Sequence, residues 1–235
     1  MNINAIITAR SGSKGLPNKN IKELGGIPVL GWIVNAAKNS TLIKNVILST
    51  DSNEYFEIGK SINANLIHHI RTPELAEDVE SELILLDVIK KFKELFTDDS
   101  IVVLLQPTTP FTKSTDIDNC IQKLIDNPNN DTCVSVKKMT EHPEWAITSD
   151  NNTTGKCNQI SGKNSIRQNL TVRWIPNGGV WVIRKEFLIN NKKVLNENET
   201  LFYEMEKLRS IDIDEEEDLI LCRSLVDSKI ITWGK

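Results

Sequence analysis

Ile3-Asn4-Ala5-Ile6-Ile7-Thr8-Ala9-Arg10-Ser11-Gly12-Ser13-Lys14-Gly15-Leu16-Pro17-Asn18-Lys19-Asn20 begins as an apolar run, and after Thr8 it becomes a glycine-rich, cationic loop. The run predicts a buried strand over residues 3–8. Glycine lets the backbone turn tightly and bring N–H groups close to an anion. Arg10, Lys14 and Lys19 add three positive charges beside those donors. The whole chain has a formal net charge of -4, so a cationic loop here is a local choice. Ligands of α/β sheets bind at the carboxyl ends of strands, where this loop stands. The alternative is a solvated basic surface loop. A P-loop needs Ser or Thr after its lysine, and Gly15 follows Lys14; no Gly-x-Gly-x-x-Gly is present either. Pro17 argues that the loop stays open rather than entering a helix at once.

Outward from this segment, strand and helix patterns alternate. Helices are predicted over 28–38, from the cap Ser52 to about 62, from Ser81 through Leu83, Leu86, Val88, Ile89, Phe92 and Phe96, and over 116–125 behind Ser114 or Thr115. Strands are predicted over 46–50, 66–68, 101–105 and 132–136. The unbroken Ile101-Val102-Val103-Leu104-Leu105 suits the centre of a parallel sheet. The alternation stops near residue 138. Residues 138–176 are polar and read as an insertion whose Trp145 and Trp174 require burial. A strand returns over 178–183 and a last inner strand is expected over 209–213. Asp214 to Glu217 then forms the acidic first turn of a helix through Leu225. The expectation is one α/β domain over 1–235 with this insertion.

The 235 residues can bury roughly 70% of their unfolded surface. Cys120, Cys133, Cys157 and Cys222 form no CxxC pair, which suits neither a disulfide framework nor a zinc site. There is no signal-peptide pattern and no apolar stretch of ~20 residues, so a cytoplasmic protein without a membrane span is expected. The acidic balance argues against nucleic acid as a partner.

Asp212 and Asp214 would share one face of a strand, since residues i and i+2 point the same way. Two adjacent carboxylates suit Mg²⁺, which takes one or two carboxylates plus substrate phosphates. The alternative makes Asp214 a helix cap and Asp212 a surface charge. Gln106 ends the central strand and should face the ligand crevice. Arg167, followed by Gln168, has the fork that grips a carboxylate, the alternative being a surface arginine. His68, His69 and His142 lack metal-ligand spacing.

Together these segments resemble the CMP-N-acylneuraminate synthetase family, cytidylyltransferases that activate nine-carbon sugar acids. The resemblance rests on Ala9 to Asn20, Leu48-Ser49-Thr50-Asp51, Arg71 to Ala76, Leu104 to Phe111, Arg167-Gln168-Asn169-Leu170, Pro176-Asn177-Gly178-Gly179 and Ser210-Ile211-Asp212-Ile213-Asp214, in the family's order. It implies a Rossmann-like three-layer nucleotidyltransferase fold with a mixed, mostly parallel sheet and a small dimerisation element near 138–176, hence a homodimer. It implies that sugar acid and CTP give CMP-sugar and pyrophosphate with Mg²⁺, in the making of a surface glycan. Arg10, Ser13, Lys14, Lys19, Asn20 and Arg71 would hold CTP. Gln106, Thr108, Arg167 and Gln168 would hold the nonulosonic acid, the last pair reached from the partner subunit. Asp212 and Asp214 would bind Mg²⁺, with Arg10, Lys19 and Asp212 central to catalysis.

The sugar end departs from the family. Ile175 stands where an arginine is frequent, and Glu144-Trp145 follows His-Pro where a basic residue is frequent. This favours a related acid such as legionaminic or pseudaminic acid. The alternatives are a nucleotidyltransferase for an eight-carbon keto acid or a sugar phosphate, and a non-catalytic nucleotide-sugar binding regulator.

Overall fold

The computed structural model describes residues 1–13, 15–149, 153–157 and 166–234, the side chains of Cys157 and Arg167 excepted. In chain order, β1 (Ile3–Thr8) is followed by the small hairpin β2 (Glu23–Leu24) and β3 (Ile27–Pro28), then α1 (Val29–Lys38), β4 (Asn45–Thr50), α2 (Asn53–Ile62) and β5 (Ile67–Ile70). A short α3 (Pro73–Ala76) leads to α4 (Ser81–Lys91), β6 (Ile101–Leu105), α5 (Ser114–Ile125) and β7 (Thr132–Lys138). The hairpin β8 (Ile147–Thr148) and β9 (Lys156–Cys157) precedes the long β10 (Trp174–Arg184), α6 (Lys185–Asn191), β11 (Leu201–Glu204) and α7 (Glu216–Asp227).

Seven strands form one sheet in the order β11-β7-β10-β6-β1-β4-β5. The β1, β4, β5 and β6 pairings are parallel, β10 runs antiparallel to both β6 and β7, and β11 is parallel to β7. The mixed, mostly parallel sheet is the expected one. Strand alternation sends Ala5, Ile7, Leu48, Val103 and Leu105 to the face covered by α1, α2 and α5. Ile6, Ile47, Val102 and Leu104 go to the opposite face, under α4 and α6. Each fully buried aliphatic side chain contributes roughly 1.5–3 kcal/mol relative to exposure. α7 packs Leu219, Cys222 and Leu225 on Leu24, Trp32 and Phe111, which brings the chain's end back to the first loop. The parallel strands end together, so Thr8, Thr50, Ile70 and Leu105 open onto one edge.

Two expectations and one alternative reading need correction. No strand forms over 209–213. β11, which the sequence reading passed over, takes the place beside β7. Arg209 meanwhile puts Nε and Nη2 on the Asp116 carboxylate at 2.9 and 3.0 Å. Residues 207–210 therefore curl into a 3₁₀ turn, and one bond, Ile213 N–H to the Thr108 carbonyl at 2.8 Å, ties the next residues to the sheet's end. Trp174 belongs to β10 and stays 38% exposed, tilted against Phe202 with its indole N–H on Glu204. Asp214 is not the cap of α7. Glu215 holds that position, and the Asp218 carboxylate accepts the backbone N–H of both Asp214 and Glu215 at 2.9 Å. Among the described residues no helix is long and apolar enough to cross a membrane.

Candidate active site

The loop after β1 is pinned from beneath. Ser11 donates its backbone N–H and its hydroxyl to the two Asp51 carboxylate oxygens, at 2.8 and 2.6 Å. Burial works to raise the Asp51 pKa, but these bonds outweigh it and hold the carboxyl below its ordinary range. Asn20 is buried and donates its amide to the Arg10 carbonyl at 3.1 Å. Gly15 packs so closely that a Cβ there would meet the Asp214 carbonyl oxygen at 2.9 Å. The loop is thus a fixed wall.

Three cationic side chains converge on the space above it. Arg10 reaches Asp78 at 3.2 Å. Lys19 donates to the Ile213 carbonyl at 2.8 Å and to the Asp214 carboxylate at 3.1 Å. Arg71, 7% exposed, donates Nε to Ser49 Oγ at 3.0 Å. Burial first, and the Arg10 charge after it, bring its pKa down to about 10, so it stays charged at neutral pH. Arg10, Ser13, Lys19, Asn20, Arg71, Gln106, Thr108 and Asp214 line one cleft of about 440 Å³.

The Arg71 anchor continues inward. Ser49 Oγ lies 2.9 Å from His69 Nδ1, and His69 Nε2 lies 2.9 Å from Asp87. Arg71 can only donate to Ser49 and Asp87 only accepts. The Ser49 hydroxyl therefore donates to Nδ1, and His69 is neutral with its proton on Nε2. Burial lowers the His69 pKa, against the opposing pull of Asp87.

Opposite the loop, Asp212 is half-buried. Burial, and then the Asp214 charge, push its carboxyl above the usual carboxylate range, although the Thr108 side chain, Lys19 and Lys137 act the other way. Its Oδ1 is buried with no hydrogen-bond partner. A desolvated carboxylate with an unpartnered oxygen beside a second carboxylate fits a divalent cation. Among the described residues no group of three or more His, Cys, Asp or Glu is placed to hold a metal ion, so a cation here would take its remaining ligands from water or phosphate.

A bulge in β10 between Pro176 and Trp181 forms the floor. Gly178 has φ +78°, and a Cβ on it would lie 2.9 Å from Asp212 Oδ2 and 3.3 Å from Gln106 Oε1. The buried Asn177 holds the bulge. It accepts from the Ser135 hydroxyl at 2.6 Å and the Gly179 N–H at 3.1 Å, and donates to Ser210 Oγ at 2.9 Å. A second cavity of about 700 Å³ lies beyond, lined by Lys137, Met139, Ile175, Leu208, Asp212 and Asp214 among others. Asp214 borders both spaces.

The structure therefore brings together Arg10, Ser13, Lys19, Asn20, Arg71, Gln106, Thr108, Asp212 and Asp214. Lys14 lies outside the described residues. Gln168 is exposed and borders neither cavity, and the Arg167 side chain lies outside what is described. Sequence reasoning missed Asn177, Ser135 and the Ser49-His69-Asp87 chain. The Asn177-Gly178 pair entered only as part of the family resemblance, and nothing local to Ser49 or His69 gives their contact.

A cytidylyltransferase family model matches residues 4–227, nearly the whole length. The chain belongs to the cytidylyltransferase family. This family member is 34% identical over 227 residues to an N-acylneuraminate cytidylyltransferase of Escherichia coli, and 32% identical over 217 residues to one of Streptococcus agalactiae. These alignments cover 96% and 92% of the chain but 52% and 51% of those proteins, so the chain spans about half the length of such relatives. A CMP-N,N'-diacetyllegionaminic acid synthase of Legionella pneumophila is 28% identical over 228 residues, 97% of both chains. Among solved structures, a CMP:2-keto-3-deoxy-manno-octonic acid synthetase complexed with CTP superposes with TM-score 0.71 at 16% identity, over 97% of this chain and all of that one. At that identity the likeness concerns the fold. The cytidylyltransferase's glycine-rich cationic loop, Gln106 and aspartate pair thus sit on one edge of a sheet that this fold shares.

Proposed function

We propose that this cytidylyltransferase transfers CMP from CTP to a sialic-type nonulosonic acid, with Mg²⁺ and release of pyrophosphate. One observation carries the reading: Asp214, beside Asp212, borders both the cationic cleft and the second cavity. Two substrates that react with each other across a metal need that arrangement. The names of the relatives, for N-acylneuraminate and for diacetyllegionaminic acid, support the class of acid.

In this reading Arg10, Lys19, Asn20 and Arg71, with the loop N–H groups, hold the triphosphate. The sugar's anomeric oxygen forms a bond to the α-phosphorus while the bond from that phosphorus to the bridging oxygen of the β-phosphate breaks. Pyrophosphate leaves in line, and the hydroxyl proton passes to a base. Such a transfer is mostly positioning and charge neutralisation. Asp212 and Asp214 would hold Mg²⁺, which supplies Lewis-acid polarisation of the phosphate oxygens when bound. Lys19 fixes Asp214 and so sets the distance between loop and metal site. Gln106, next to Asp212 over Gly178, would orient the acid.

A homodimer belongs to the same proposal. It would cover the exposed Trp174, Ile175 and Phe202 and give Arg167 and Gln168 a substrate to meet. The deciding experiment is pyrophosphate release with CTP, Mg²⁺ and a panel of N-acetylneuraminate, diacetyllegionaminate, pseudaminate and an eight-carbon keto acid, with CMP-sugar identified by mass. Release with a nine-carbon acid is expected. Release with the eight-carbon acid only, or with none, would overturn the reading.

A further inference from the structure

Lys137 is the penultimate residue of β7 and is half-buried. It shares its face of the strand with Ser135, two residues earlier, which is bonded to the Asn177 that anchors Ser210. That places Lys137 on the Asp212 side of the sheet, in the second cavity. Its side chain makes no hydrogen bond or ion pair with any described residue, and Asp212 feels its charge through space. An ammonium that is partly withdrawn from water and unpaired invites an anionic ligand.

The cavity's lining says which anion. Met139, Ile175, Leu208, Ile211 and Leu221 form much of its wall, while the carboxylates Glu141, Asp212, Asp214 and Asp218 also border it and leave Lys137 as its half-buried cation. A polyphosphate needs several converging cations and N–H donors, and in this molecule those line the other cleft. One inward ammonium beside an apolar wall fits a monocarboxylate on a carbon-rich body. Directly across the ladder from Lys137 stands Ile175, an apolar side chain that offers the anion no competing charge.

We propose that Lys137 binds the carboxylate of the acceptor sugar acid and so sets the enzyme's preference for acids over neutral sugars. This rests on the cytidylyl-transfer reading above. Lys138 and Lys207 also border the cavity, but both are exposed and hold their charge in water.

The experiment measures pyrophosphate release from CTP with the best acid of the panel and with its carboxamide, using wild type, Lys137→Met, Lys137→Arg and the double variant Lys137→Met with Ile175→Lys. Lys137→Met keeps the aliphatic stem. It is expected to raise KM for the acid at least tenfold, to leave kcat and KM for CTP within about twofold, and to erase most of the wild type's preference for acid over amide. Lys137→Arg should retain that preference, and the double variant should regain part of it. An unchanged KM for the acid, a rise in KM for CTP instead, or an unchanged acid-to-amide ratio would overturn the proposal while leaving the transfer reading intact. No release by wild type with any acid would overturn both.

Discussion

Lys19 Nζ lies 3.1 Å from Asp214 Oδ1, across 195 positions of sequence, and 2.8 Å from the neighbouring Ile213 carbonyl. The first loop and the last acidic segment are thereby one unit. The lysine side chain is 16% exposed, while the aspartate's is 73% exposed. An ion pair at that exposure is worth little for stability, about 0–1 kcal/mol. Its value is positional: it holds a cation and a carboxylate side by side on the wall of the same cleft.

Lys19→Met should therefore leave the melting temperature within about 2–4 °C of wild type, in line with a loss near 1 kcal/mol in a chain of this size. Turnover should fall at least 100-fold, since a group placed on transferring phosphate typically contributes several kcal/mol in the transition state. Calorimetric melting and steady-state pyrophosphate release check the two halves. Near-normal turnover would remove Lys19 from the site.

Asp212 should behave in opposite ways with and without metal. Its folded pKa is raised, by burial first and Asp214 second, above the ordinary carboxylate value of 3.8. A raised carboxylate pKa favours the protonated form in the fold. That contribution is fully present below 3.8 and lost as pH rises through the folded value, so at neutral pH the metal-free protein carries a strained charge. Asp212→Asn should raise the metal-free melting temperature at pH 7 by roughly 1–4 °C and abolish turnover. Magnesium should stabilise wild type and not the variant. Thermal melts with Mg²⁺ and with chelator check this; a metal-free variant less stable than wild type at pH 7 would contradict it.

Gly178 holds a conformation and a space that only glycine fits. Its φ is +78°, and a Cβ would meet Asp212 Oδ2 at 2.9 Å. Gly178→Ala carries about 1–2 kcal/mol of left-handed strain and must displace Asp212 or Gln106. The expected result is a melting temperature lower by several degrees and a kcat reduced at least tenfold, because both displaced groups face the reaction. Retained kcat in a destabilised variant would separate the turn from the chemistry.

Much of this was legible in the sequence, where local chemistry and fold agree. The apolar run 101–105 became the buried central strand because nothing polar interrupts it. The loop of Arg10 and Lys19 became a cleft wall because Gly15 allows close approach to the Asp214 carbonyl. The failures lie where long-range partners decide. Arg209 to Ile213 has strand-like composition, but β11 occupies the place beside β7 and Arg209 is held by Asp116. Trp174 looked like a residue of an insertion's core, yet it is the first residue of the interior strand β10, partly exposed with its ring against Phe202. Lys137 fell just past the strand predicted over 132–136, since its place in the Asp212 cavity depends on a register with Ile175 that no local pattern encodes.

The chain Arg71-Ser49-His69-Asp87 gives the last prediction. Ser49 accepts from Arg71 and donates to His69, so deleting its hydroxyl leaves the guanidinium only its weaker bond to the Leu75 carbonyl and a buried His69 Nδ1 without a donor. An unsatisfied buried polar atom costs about 1–3 kcal/mol. Ser49→Ala should therefore lower stability and raise KM for CTP several-fold, while KM for the sugar acid changes little, because Arg71 borders only the cationic cleft. The pH dependence follows from His69. Its folded pKa lies below the ordinary 6.5, with burial the main cause. The stability it contributes is present above 6.5 and is lost as pH falls from there through the folded value, because the unfolded chain takes up the proton first. Wild type should thus lose stability on acidification below pH 6.5, and His69→Gln should lose less over the same interval. Denaturant melts at half-unit pH steps measure both curves, and parallel curves for the two proteins would show that His69 does not titrate in this window.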